Sequence, residues 1–171
     1  MSAIQYLADG FAVALQWHNL VFAFIGVSIG TAVGVLPGIG PMSGVALLMP
    51  ITASLTGGLE PEHAAASAII LLAGVYYGAM YGGSTTSILL NTPGESSSVV
   101  TTLDGYQMAK QGRAGSALSI AAIGSFVAGI VSLIALVFLA QPLSDLALEF
   151  GPAEYFSLML LGLCAVSGLG G

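Results

Sequence analysis

Two stretches of this sequence hold the residues best suited to bind something: Pro37-Gly38-Ile39-Gly40-Pro41, and a hydroxyl-rich run from Tyr81-Gly82-Gly83 through Ser84-Thr85-Thr86-Ser87 to Asn91-Thr92-Pro93-Gly94. Two prolines and two glycines in five residues cannot continue a helix, so the first stretch must break whatever helix enters it. The second reads as another break, richer in hydroxyls. A helix that restarts beyond a break turns free N–H groups and a positive dipole end toward the gap, which holds a carboxylate without lysine or arginine. The hydroxyls and the Asn91 amide add donors for a carboxylate and neutral oxygens for a hard cation such as sodium.

The candidate binding residues are therefore Pro37, Gly38, Gly40 and Pro41 in the first stretch, and Gly83, Ser84, Thr85, Thr86, Ser87, Asn91, Thr92 and Pro93 in the second. Ser84, Thr85 and Asn91 are the candidate sodium ligands. The competing reading of the same serines and threonines is that they only satisfy backbone groups freed by the break. Tyr76, Tyr77 and Tyr81 stand nearby, either as pathway lining or as interfacial anchors.

Other chemistry is not indicated. No nucleophile elbow, paired carboxylates, metal triad or phosphate loop occurs, so no catalytic residue, enzyme activity or cofactor is expected, sodium as a coupling ion apart. His18 and His63 lie at segment edges without a companion ligand and read as interface residues. Cys164 is the one cysteine, which excludes an internal disulfide; its apolar surroundings suggest a packing role.

The elements that must position these stretches follow from where charge is missing. Hydrophobic residues make up 56% of the chain and charged ones 6%, too few for a surface that faces water throughout. Charge-free gaps of 50, 32 and 31 residues separate Asp9 from Glu60, Glu62 from Glu95 and Arg113 from Asp145. Each exceeds the roughly 20 residues that cross a bilayer. The pattern predicts an all-α, polytopic membrane helix bundle with broken or re-entrant helices, a single transmembrane domain over 1–171.

Its expected parts are an interfacial helix at about 4–17 anchored by Trp17, then apolar segments at about 20–36, 42–58, 63–90, 114–140 and 153–171. The 42–58 segment, interrupted by Pro50, reads equally as a re-entrant limb or a kinked span. Residues 95–113 read as a polar loop carrying Lys110 and Arg113, the only basic residues, and the positive-inside rule puts it in the cytoplasm. With no basic residue before Lys110, the N-terminus does not resemble a cleavable leader. The apolar ending Gly168-Leu169-Gly170-Gly171 reads as an interrupted polypeptide. The eight acids are scattered at segment ends and leave no footprint for nucleic acid.

Glycines at 26, 30 and 34, and again at 74, 78 and 82, form two ridges. Each glycine inside a helix costs about 1 kcal/mol relative to alanine, so a compensating close approach of helices is expected. The two ridges align at an offset of 48, which suits either a duplicated unit or two independent ridges.

Taken in order, Gly30-Thr31 through Gly34-Val35-Leu36-Pro37-Gly38-Ile39-Gly40-Pro41, Tyr81 through Gly94-Glu95, Asp104-Gly105-Tyr106 and Gly112-Arg113-Ala114-Gly115 resemble the large membrane subunit of the tripartite tricarboxylate transporters. The resemblance covers residue 20 to the end. It implies a secondary transporter of the bacterial inner membrane that takes up citrate-like tricarboxylates or other organic acids, driven by a sodium or proton gradient. It also implies a small membrane subunit and a periplasmic solute-binding protein as partners, besides the carboxylate and the lipid bilayer. Members contain two inverted halves, so this chain would correspond to the N-terminal one. The resemblance further implies that both stretches contribute to a cavity, with 104–113 as a cytoplasmic element. A scaffold subunit without its own substrate site and a passive channel are the alternatives, although a channel would more often carry a charged ring or repeated filter.

Overall fold

The computed structural model describes residues 3–169. Its elements are α1 (Ala3–Ala14), α2 (Trp17–Gly34), α3 (Gly40–Thr56), α4 (Pro61–Leu90), α5 (Val99–Lys110), α6 (Ala114–Leu148) and α7 (Pro152–Leu169), with a 3-10 turn at Ser96–Ser98. Among the described residues there is no strand. Trp17–Gly34, His63–Leu90 and Ala114–Leu148 are each long and apolar enough to cross a bilayer. The chain is an all-α membrane helix bundle.

It divides into two compact units, Met1–Ser125 and Phe126–Gly171. The core of the first is the contact between α2 and α4. A methyl group built on Gly26, Gly30 or Gly34 would overlap the backbone of Leu71, Val75 and Ala79 in turn. From the other side, Gly74, Gly78 and Gly82 rest on the backbone of Ala23, Val27 and Thr31. Leu71, Val75 and Ala79 are all but fully buried there. Partner numbers rise together along both helices, so α2 and α4 run parallel. The offset of 48 is thus the register of one helix on the other. Close backbone approach supplies the dispersion contacts that offset the low helix propensity of six glycines.

A parallel pair requires the chain between to travel back. The 17 residues of α3 extend about 25 Å at a rise of ~1.5 Å per residue, enough to retrace α2. Its buried face is Pro41, Gly44, Thr52 and Thr56, small or hydroxylated rather than bulky. Thr52 and Thr56 donate to the carbonyls of Leu48 and Thr52 at 2.9 and 3.0 Å, which keeps their hydroxyls satisfied beside Pro50.

Where α2 and α4 begin, Asn19 is completely buried. Its Nδ2 donates to the Val13 carbonyl at 2.7 Å, and its Oδ1 accepts from the Ser67 hydroxyl at 2.6 Å, which ties α1, α2 and α4 together. The pair falls on the same offset of 48. Truncating either partner leaves the other buried and unpaired, at a cost of about 1–3 kcal/mol. A double-mutant cycle of Asn19→Ala and Ser67→Ala, read by thermal unfolding of the solubilised protein, should give a coupling of about 0.5–2 kcal/mol. Additive losses would show that the bond contributes nothing.

Several boundaries differ from those expected. The first helix ends at Ala14, and Trp17 opens α2, 77% exposed, after Gln16 takes an extended conformation. The region expected as a polar loop at 95–113 folds into the 3-10 turn and α5 because Gly105 lets α5 settle on α4. A methyl there would come within 2.8 Å of Ile88 Cγ1. The span expected to stop near Ala140 continues through Pro142 and past Asp145 to Leu148. One proline removes a single ladder bond and kinks a helix more readily than it ends it in an apolar setting.

The second unit holds the remainder of α6 and α7. The Glu154 carboxylate accepts the Gly151 N–H at 2.9 Å at the start of α7. Large apolar side chains such as Phe138, Leu148 and Leu163 are exposed. Cys164, expected in a packed position, is exposed on α7.

Candidate functional site

The first stretch breaks the chain between α2 and α3. Val35, Leu36 and Ile39 donate to the carbonyls of Thr31, Val33 and Leu36 at 3.1, 3.0 and 3.4 Å, a sequence of tight turns after Gly34. Gly38 and Gly40 take φ of +91° and +64°, where any other L-residue would be strained. With Pro41 in its first turn, α3 then starts without a side-chain cap. The N–H groups of Gly40 and Met42 stand in that first turn, ahead of any intrahelical acceptor.

The second stretch behaves differently from its reading as a break at Tyr81. Helix α4 continues unbroken to Leu90. The hydroxyls of Ser84 and Thr85 donate to the carbonyls of Met80 and Tyr81 at 3.1 and 3.0 Å, and those of Thr86 and Ser87 both donate to Gly83 O at 3.0 and 2.8 Å. Thr86 and Ser87 are buried. The helix ends at Asn91, left-handed at φ 57°, a conformation asparagine tolerates.

Beyond Asn91 the chain doubles back. A methyl on Gly94 would lie 2.6 Å from Gly83 Cα and 2.5 Å from the Gly34 carbonyl, so this connector rests on α4 at Gly83 and on the end of α2 together. The Glu95 stem packs against Gly83. Its carboxylate accepts the Ser98 N–H and, at Oε1, the Ser97 hydroxyl at 2.7 Å, while the Glu95 N–H donates to Ser98 Oγ at 3.3 Å.

The two connectors enclose an open cleft of about 680 Å³, within the usual range of small-molecule sites. Of the residues singled out in the sequence, Gly38, Gly40, Pro41 and Pro93 line it, and so does Tyr76. Gly83 lies beneath Gly94. Pro37, Asn91 and Thr92 are exposed and do not line it, and the Thr92 hydroxyl donates to the Leu90 carbonyl at 3.2 Å. Sequence reasoning missed Met42, Met80, Ser96 and above all Glu95. The one signal for Glu95 was its place as the first charge after a gap of 32 residues. No basic side chain lines the cleft. Lys110 instead lies over the Tyr106 ring, 5.6 Å from its centroid.

At the other end of the parallel pair, His18 and His63 meet edge to face with centroids 6.3 Å apart. Among the described residues no three metal-ligating side chains converge.

The sequence itself matches a known family. The model of the tripartite tricarboxylate transporter TctA family matches residues 20–171. An uncharacterized 52.8 kDa protein from the TAR-I ttuC' 3' region of Agrobacterium vitis is 53% identical over 163 residues, covering 95% of this chain. The chain spans 31% of that relative's length. No solved structure matches it. With glycine ridges, first break and post-α4 connector all falling inside the matched region, the chain belongs to the tripartite tricarboxylate transporter TctA family.

Proposed function

We propose that the cleft is this chain's share of the substrate site in a secondary transporter that takes up citrate-like tricarboxylates or related organic acids across the bacterial inner membrane. A sodium or proton gradient drives uptake, a periplasmic solute-binding protein delivers the acid, and a small membrane subunit completes the complex. The observation that carries this reading is the uncapped start of α3 at a cleft with no basic lining. Backbone N–H groups and the positive end of a helix bind a carboxylate there and still release it, because no full opposite charge holds it. The family match supports the choice of a polycarboxylate.

Met42 is exposed in the first turn of α3 and lines the cleft, so it can carry a test charge without disturbing the core. In the complete transporter reconstituted into vesicles, Met42→Asp should raise the KM for citrate at least about tenfold, as a fixed negative charge competes for the same N–H groups. Met42→Asn should stay within about threefold of wild type. Equal uptake by both variants would place the anion elsewhere.

A further inference from the structure

The cleft read above as an anion site also contains a carboxylate of its own. Glu95 lines it together with the start of α3. Its carboxylate accepts from the Ser97 hydroxyl and the Ser98 N–H, both neutral donors, and no lysine or arginine shares the cleft. Packing of its stem on Gly83 and its place in a reciprocal cap hold the group where it is. An anionic substrate entering this space meets a like charge, and the two disfavour one another.

Resting on the function proposed above, we propose that Glu95 is the coupling-ion site: it binds a sodium ion, and only with its charge balanced in that way does the cleft accept the substrate carboxylate. The surroundings suit a small hard cation. Ser96 and Ser97 bring neutral oxygens to the same wall, beside the carboxylate. The hydroxyls of Ser84 and Thr85 already donate to carbonyls of their own helix, and Asn91 is exposed outside the cleft, so those residues are poorer ligands than Glu95. Cation and substrate then enter together because each removes the other's electrostatic penalty, which is coupling in its thermodynamic sense. The cap alone does not require a charge, since a glutamine carbonyl accepts the same two hydrogen bonds.

The test uses the complete transporter in vesicles with citrate as probe and compares two measurements on Glu95→Gln. Exchange of labelled for unlabelled citrate at equal sodium on both sides should require sodium in the wild type and become independent of it in Glu95→Gln. Accumulation driven by an inward sodium gradient should fall at least tenfold. A wild type that accumulates citrate without sodium overturns the proposal. Glu95→Asp should keep the ion dependence with a weaker apparent affinity. Accumulation by Glu95→Gln with unchanged ion dependence overturns the proposal, and so does equal loss of exchange and accumulation, which would make Glu95 a structural cap. A wild-type protein that moves no mono-, di- or tricarboxylate overturns the transport reading beneath it.

Discussion

Gly30→Leu and Gly78→Leu are each expected to leave no folded protein in the membrane. Both glycines lie at the middle of their ridges, and the atoms a side chain would strike belong to the backbone of Val75 in one case and of Val27 and Thr31 in the other. A side chain can rotate away from an intruder, whereas a helix backbone must retreat as a whole. Overpacking of an ordinary core costs about 1–3 kcal/mol, and here the loss extends to every contact along the ridge. Alanine should be milder, because its gain of about 1 kcal/mol in helix propensity offsets part of the overlap. Gly124 is the control, since a methyl there meets nothing within 4 Å. Membrane yield and thermal unfolding should rank Gly124→Ala at or above wild type, Gly30→Ala below it and Gly30→Leu undetectable. A well-folded Gly30→Leu protein would mean that the two helices do not touch backbone to backbone.

The second large effect is expected at Gly94, with a different signature. A valine there would collide with Gly83 Cα and the Gly34 carbonyl and lift the connector off both helices. Pro93 and Glu95 would leave the cleft with it. The collision touches the α2–α4 ridge only at its last glycine, Gly34, and spares the contacts of Gly26, Gly30, Gly74 and Gly78, so helix content and melting temperature should remain close to wild type while citrate uptake falls about a hundredfold. Parallel circular-dichroism and vesicle-uptake measurements separate the two properties. Normal uptake by Gly94→Val would show that the connector is not a wall of the site.

How much of this was legible beforehand depended on whether a feature is local. The first break could be read from the sequence because two prolines and two glycines forbid a helix by themselves. The glycine ridges were equally visible, but that they face one another was not, since only the parallel course of α2 and α4 turns an offset into a register. The hydroxyl-rich run reads as a break from Tyr81 onward, yet α4 continues nine residues further, to Leu90. Glycine, serine and threonine weaken helices in water, yet an apolar setting leaves their backbone no better partner, and the hydroxyls close onto carbonyls of the preceding turn. Glu95 escaped notice because its place in the cleft depends on the reversal at Asn91 and on Gly94 lying flat on Gly83. The His18–His63 contact was hidden for the same reason, as two residues far apart in sequence meet only through the parallel register.

Backbone seated on backbone between α2 and α4 leaves nothing that can slip by changing rotamer, so the pair travels as one rigid body. The connectors at 35–39 and 91–95 border the cleft, and the second is seated through Gly94 on Gly34 and Gly83. In a transporter of the kind proposed, a swing of the pair from one face of the membrane to the other would therefore carry both walls of the cleft with it.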